Sequence, residues 1–279
     1  MVIVTFESRR EVPSCLESLN STAPDWVREV IVVDNASSDG TSQFLRSNHK
    51  PNILVQINSE NIGFGRAMNQ GAASATGEYL LILNPDCTMQ PGTVAELAHF
   101  LDCRPEAAAC GPMICGTKGE FQYCSRRGFP TPLNAVAYIF HLDRLFPRNR
   151  TFGGYQMRFL DPRLELVTDS LSGACMMVRR SVFQEVGGFD EDYFLFGEDI
   201  DLCWKIRQAG HEVWYTPRAQ VRHVKGASMR SAPGRAQREF YHSMRLFVDK
   251  RLSSRYSPPS LALIKSGIGL VAWWARARS

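Results

Sequence analysis

The sequence predicts an α/β protein organised on a mostly parallel, doubly wound sheet, and three observations carry that prediction. First, short aliphatic and β-branched runs alternate with amphipathic stretches through the first ninety positions, the mark of successive strand–helix–strand units. Second, the runs lead into polar or acidic residues, Glu7, Asp34, Asn61 and Asp86. That places these side chains along one rim, outside the carboxyl ends of the strands, where open α/β sheets bind ligands. Third, Leu80-Leu81-Ile82-Leu83 passes directly into Asn84-Pro85-Asp86. Four aliphatics are too few for a helix and read as a buried strand stopped by proline. Taken alone, the tripeptide reads more simply as a turn that only ends the strand.

The elements follow in order. Val2-Ile3-Val4-Thr5-Phe6 is a strand, 12–20 a helix, and Glu29-Val30-Ile31-Val32-Val33 a strand ending at Asp34. Residues 41–47 form a second helix, with Asp39 or Thr41 as its N-cap. A strand at 53–57, a helix at 65–74 and a strand at 79–83 complete the first half, followed by a helix at 94–101 and a strand at 107–114. The pattern then loosens. Leu133, Val136, Ala137, Phe140 and Leu145 recur at helical spacing, so 131–146 reads as one helix, either facing the core or forming a flap over substrate or membrane. A basic, Gly-rich turn at 148–154, a strand at 172–178 and a short helix from 182 come next. The helix that begins at Glu198 carries Glu198, Asp199 and Asp201 in its first turn. Acids there complement the helix dipole, but three beside Phe194 and Phe196 exceed that need and point to proton chemistry. A strand at 213–215 precedes His223, a lone histidine that ordinarily would be structural.

Composition sets the limits. With 279 residues and 44% hydrophobic content, the chain has ample material for a core. No basic leader precedes the first strand, which reads as a cytoplasmic chain. The 8 cysteines contain no C-x-x-C pair, so they read as reduced packing thiols rather than a zinc or redox site. No G-x-G-x-x-G follows the first strand, where Phe6-Glu7-Ser8-Arg9-Arg10 stands instead, and this argues against a dinucleotide fold. The net charge of +4 hides an asymmetry. Thirteen Lys and Arg face three acids from His211 onward, a local +10, so the tail calls for an anionic partner. After Ser257-Pro258-Pro259, residues 260–275 are apolar apart from serine and Lys265, and they end in Trp273-Trp274 before Arg276 and Arg278. The stretch falls short of the ~20 residues of a spanning helix. It fits a helix lying in the membrane interface, with packing on the protein's own core as the alternative. Nucleic acid is set aside, because no aromatic stacking module accompanies the basic residues.

Five motifs in sequence resemble those of the family 2 glycosyltransferases, which have the GT-A nucleotide-sugar fold. They are Val33-Asp34-Asn35-Ala36-Ser37-Ser38-Asp39-Gly40, the stretch from Asn61 through Asn69 to Gly71, Leu83-Asn84-Pro85-Asp86, the segment from Gly187-Gly188-Phe189-Asp190 through Glu198-Asp199-Ile200-Asp201-Leu202, and His223-Val224-Lys225-Gly226-Ala227-Ser228. The Asn-Pro-Asp form resembles the branch of bacterial rhamnosyltransferases that build O-antigen and other cell-surface polysaccharides. The resemblance implies a GT-A domain at 1–228, with a nucleotide-sugar half at 1–115 and an acceptor half at 116–228, and a basic helical extension at 229–279. It implies that Thr5, Glu7, Asp34, Asn61, Asn84 and Asp86 bind the nucleotide sugar, that Asp199 is the general base of an inverting transfer, and that Glu198 and Asp201 position the acceptor or orient their helix. Asp86 and His223 would hold Mg²⁺ or Mn²⁺ across the diphosphate. Asn84 stands where the family's metal motif has its first acid, which predicts weaker metal binding and leaves metal independence open. The implied partners are dTDP-rhamnose, or alternatively a UDP-sugar, as donor and a polyprenyl-diphosphate-linked sugar as acceptor. The enzyme would sit on the inner face of the cell membrane, attached through the C-terminal region. The alternative is a non-catalytic nucleotide-sugar-binding subunit of a polysaccharide assembly complex.

Overall fold

The computed structural model describes residues 1–22, 27–48, 51–224 and 233–276. In chain order the elements are β1 (Val2–Thr5), α1 (Val12–Thr22), β2 (Val30–Asp34), α2 (Thr41–Ser47), β3 (Ile53–Ile57), α3 (Phe64–Ala73), β4 (Tyr79–Leu83), β5 (Cys87–Met89), α4 (Thr93–Asp102), β6 (Ala107–Cys115), β7 (Arg126–Arg127), α5 (Pro132–Ile139), α6 (Leu142–Leu145), β8 (Leu166–Val167), β9 (Ser170–Leu171), β10 (Cys175–Arg179), α7 (Arg180–Glu185), α8 (Glu198–Gln208) and β11 (Glu212–His223). A helix at Pro233–Phe247 and a terminal helix at Pro258–Arg276, joined through a π-helical turn at Val248–Leu252, close the chain.

The main sheet has the order β3-β2-β1-β4-β10-β6-β11-β5, with β8 paired to β11. The parallel expectation holds for β1 to β4 and for β6 with β11. β10 runs antiparallel between β4 and β6. The reason lies in the path of the chain: β10 starts with Cys175 opposite Leu83, the last residue of β4. The excursion at 116–174, which includes β8 on the side of β11, therefore returns to the sheet at the rim that carries the strand ends.

Both faces of the sheet are covered, which explains why its strands are apolar throughout instead of alternating. Ile3, Val32, Leu81 and Leu83 point into one core with α1 and α4. Val2, Val4, Ile31, Val33, Leu80 and Ile82 point into the other with α3 and α8. Gly71 lets α3 lie against the sheet, because a Cβ there would stand 2.5 Å from Val2 Cγ1. A third, smaller cluster joins Ile200 and Trp204 of α8 to Phe247, Val248, Leu252 and Ile268.

Several sequence expectations need correction. The N-cap of α2 is Gly40, in the left-handed region at φ 93° and without a side-chain cap bond. Asp39 acts from one position earlier, accepting the N–H groups of Thr41 at 3.0 Å and Arg9 at 2.9 Å. The 131–146 stretch is two helices, broken where His141 turns to φ 58°. Its stripe does not face the core: Ala137 is buried, but Leu133, Val136, Phe140, Leu145 and Phe146 are exposed. Residues 172–174 form a turn rather than strand, and the strand expected at 213–215 runs on to His223. Lys225 to Ser228, and with them the predicted domain boundary, lie outside the described residues.

Candidate active site

The Asn84-Pro85-Asp86 turn forms one pole of the site. The Asn84 N–H donates to Ala174 O at 2.9 Å, which pins the end of β4 to the start of β10. Asp86 is buried, and β11 runs antiparallel to β5 with His223 opposite Cys87. That pairing carries His223 Nε2 to 3.3 Å from Asp86 Oδ1. Asp86 Oδ1 and Asn84 Oδ1 are both buried with no hydrogen-bond partner. Two unsatisfied hard oxygens beside an imidazole fit a small divalent cation. Cys87 Sγ also lies within 4.8 Å of the Asp86 and His223 ligand atoms, but its thiol reaches Ala174 O at 3.2 Å, and burial pushes its pKa well above the usual thiol value. With the Cys87 thiol given to Ala174 O, the donor set left is oxygen and imidazole.

Asp199, in the first turn of α8, forms the other pole. Phe196 and Gly197 precede the helix in left-handed conformations, at φ 68° and 82°, and this tight entry turns the acids toward the rim. Asp199 Oδ2 accepts the Gly173 N–H at 2.9 Å and Arg127 Nη2 at 2.7 Å, while Oδ1 accepts the Ile200 N–H at 2.8 Å. Gly173 adjoins Ala174, so two consecutive residues link the Asp199 carboxylate to the Asn84 turn. Burial works against the Arg127 charge, but Asp199 outweighs it and holds the guanidinium above its ordinary value. Glu198 is buried beside this pair with Oε2 unpartnered. Burial first, and the Asp199 charge second, push its carboxyl up to about 8.

Asp201 is sealed off from the rim. Both of its oxygens accept from Arg251, at 2.6 and 2.9 Å, and Tyr193 donates a third bond at 3.2 Å. These bonds tie the start of α8 to Arg251 in the C-terminal region.

At the rim formed by the ends of β1 and β2, Thr5 Oγ1 donates to Asp34 Oδ1 at 2.6 Å. The fully buried Asp34 also accepts the Ser37 hydroxyl, the Ser37 N–H and the Ser42 hydroxyl. With both oxygens engaged, Asp34 orders the loop that follows β2. Glu7 sits at φ 51°, held by its N–H to Ser37 Oγ and by Ser38, whose N–H reaches Glu7 Oε1 at 2.7 Å. Asn61 Oδ1 accepts the Gly63 N–H at 3.0 Å, and Phe64 N–H reaches Phe194 O at 2.9 Å, so this loop packs under the approach to α8. Asn69 clamps the same approach through Phe189, accepting its N–H at 2.8 Å and donating to its O at 2.9 Å.

Two site residues escaped sequence reasoning. Arg127 lies in an unremarkable stretch, and only the fold brings it to Asp199. Gln122, from the same stretch, accepts from His223 Nδ1 at 3.0 Å and donates to His223 O at 2.9 Å. A polar residue in an irregular segment carries no periodic signal.

The sheet thus carries acids and an imidazole at its strand ends, faced by an acid-bearing helix. The model of "Glycosyl transferase family 2" matches residues 1–187, and the chain belongs to that family of glycosyltransferases. A second model, the N-terminal domain of galactosyltransferase, matches residues 155–227. The chain is 31% identical, over 97% of its own length and 90% of the relative's, to the N-acetylglucosaminyl-diphospho-decaprenol L-rhamnosyltransferase of Mycobacterium tuberculosis. It is 28% identical to rhamnosyltransferase WbbL of Escherichia coli, with 91% and 94% covered. Among solved structures, the mannosyltransferase PcManGT from Pyrobaculum calidifontis, in complex with GDP-Man and Mn²⁺, superposes with a TM-score of 0.61 at 18% identity, covering 98% of this chain and 70% of that one. S. aureus TarS 1-349 in complex with UDP-GlcNAc gives 0.59 at 19%, covering 96% and 70%. At these identities the two structures speak to fold alone.

Proposed function

We propose that the protein transfers L-rhamnose, with inversion, from dTDP-rhamnose onto a polyprenyl-diphosphate-linked sugar during cell-surface polysaccharide synthesis. The observation that carries this reading is the full-length similarity to the mycobacterial rhamnosyltransferase, whose name specifies a lipid-diphosphate acceptor. The donor lies along the rim of β1, β2 and β4, with Thr5, Glu7, Asp34 and Asn61 on the nucleoside side and Asn84 and Asp86 on the diphosphate side. Asp86 and His223 hold Mg²⁺ or Mn²⁺, which neutralises charge on the leaving diphosphate when bound. Asp199 takes the proton of the acceptor hydroxyl as that oxygen forms its bond to the anomeric carbon, and the bond to the diphosphate oxygen breaks with its electron pair on the diphosphate. Gly173 and Arg127 fix the Asp199 carboxylate, and Glu198, beside it, faces the acceptor.

The enzyme works on the cytoplasmic membrane face. The terminal helix supports this, since Leu263, Leu270, Trp273 and Trp274 point outward while Leu261, Ile264 and Ile268 pack on the protein. Among the described residues, no helix is long and apolar enough to cross a membrane.

The test is nucleoside-diphosphate release from dTDP-rhamnose, UDP-glucose, UDP-galactose and GDP-mannose in turn, with a lipid-diphosphate sugar, with and without EDTA. Release from dTDP-rhamnose alone, abolished by EDTA and lowered about 10²–10⁴-fold in Asp199→Asn, is expected. Release from a UDP-sugar would replace the donor. Nucleotide-sugar binding without release from any donor would favour a non-catalytic subunit.

A further inference from the structure

The contact between Gln122 and His223 fixes more than a side-chain position. Gln122 Nε2 donates to the His223 carbonyl oxygen at 2.9 Å. A carbonyl only accepts, so the orientation of the amide is set and Oε1 is the atom that lies 3.0 Å from His223 Nδ1. An amide oxygen also only accepts, so Nδ1 carries the hydrogen. The Cys124 thiol reaches the same Oε1 at 3.6 Å, again as a donor to an acceptor. Gln122 is itself anchored, by its N–H to Ile114 O at 2.8 Å and by its own carbonyl, which accepts the Ser125 hydroxyl at 2.7 Å.

A neutral imidazole has one ring hydrogen. With the Nδ1 hydrogen given to Gln122, Nε2 is the ring nitrogen left 3.3 Å from Asp86 Oδ1, a buried oxygen with no hydrogen-bond partner. A cation bound by both satisfies that oxygen, and a metal-bound histidine ordinarily gives its other ring N–H to such a partner. We propose that Gln122 is a positioning residue that sets the tautomer of His223, leaving Nε2 open to a divalent cation shared with Asp86. The proposal rests on the cation assigned to Asp86 and His223. Without Gln122, the ring is free to place its hydrogen on Nε2 and turn it toward Asp86, and that internal hydrogen bond competes with the metal.

Two measurements on the full chain test this. Long-range ¹H–¹⁵N spectra of the histidine rings, with His223 assigned by its loss in His223→Ala, report the tautomer without metal. Titration with Mn²⁺ alone reports affinity. We expect the Nδ1–H tautomer in the native protein, a shift toward Nε2–H in Gln122→Leu, and Mn²⁺ affinity about 10–100-fold weaker in that variant. Gln122→Glu keeps an acceptor at Nδ1–H but loses the donor to the His223 carbonyl, so it is expected to hold the Nδ1–H tautomer with an affinity between native and Gln122→Leu, which separates positioning from loss of fold. An Nε2–H tautomer in the native protein overturns the proposal. So does native Mn²⁺ affinity in Gln122→Leu when His223→Ala has lost it, an outcome that leaves the metal site standing. Unchanged Mn²⁺ binding in both Asp86→Asn and His223→Ala overturns the metal site and the proposal together.

Discussion

Glu198 shows how a single side chain records the electrostatics of the site. It holds its proton to about 8 against an ordinary value of 4.5, because burial and the neighbouring Asp199 charge both oppose ionisation. Between those two values the native protein keeps a proton that the unfolded chain has released, so this group makes stability fall as pH rises through that window. At neutral pH the arrangement leaves one charge pair, Arg127 with Asp199, and a neutral Glu198 beside it. Glu198→Gln removes the ionisation and should be the more stable protein at pH 8, by at least ~1 kcal/mol or about 2–4 °C in Tm. The difference should close below pH 5, as thermal unfolding across pH will show. A gap that stays constant with pH would mean that Glu198 is ionised in the native state. The acids themselves were legible in the sequence, because three in one helical turn exceed what a dipole requires. Their partners were not. Arg127 and Gln122 reach the site through the short segment at 116–130, where no period of 2 or 3.6 announces a position.

At the scale of elements, α8 does two tasks with opposite faces. Asp199 looks to the rim, whereas Asp201 binds Arg251 through two hydrogen bonds and Lys250 pairs with Asp190 at 2.7 Å. This ties the C-terminal helices to the segment that presents the acids. Arg251→Met would leave Asp201 buried without its countercharge, at a cost of about 3–5 kcal/mol. Denaturant unfolding should register that loss, and hydrogen exchange should place it in 233–276 and the start of α8. The double variant Arg251→Met with Asp201→Leu should recover most of the loss; no recovery would mean that packing rather than charge holds the helices. The long, strongly patterned elements were readable, β1 to β4 within a residue or so of their ends. The breaks were less so, because His141 takes a left-handed conformation that histidine adopts more readily than most residues yet only in a small minority of cases. The antiparallel entry of β10 was also hidden, since strand direction depends on the rim at which an excursion ends and not on the strand's own residues.

Among the described residues, most of the exposed large apolar side chains fall into two groups. One lies on α5 and α6 with Phe140 and Leu145, the other on the terminal helix with Leu270 and Trp273. Arg144 and Arg148 stand exposed near the first, and Arg276 ends the second. Apolar side chains beside basic ones suit an anionic bilayer surface. Leu270→Ser combined with Trp273→Ser should weaken sedimentation with anionic vesicles at least tenfold, given ~1.5–3 kcal/mol for each apolar side chain returned to water. Turnover on a short, water-soluble acceptor should persist. Equal vesicle binding by this variant would move the contact elsewhere. A different consequence follows from the dipeptide Gly173-Ala174, whose Gly173 N–H is held by Asp199 and whose Ala174 carbonyl accepts from Asn84. It works as a ruler laid between the end of β4 and the start of α8. In a chimera that grafts a new β1–β4 segment onto the rest of this chain, alignment of the two poles depends on whether the borrowed strand end meets that ruler at the same notch. Junctions are therefore best placed away from it.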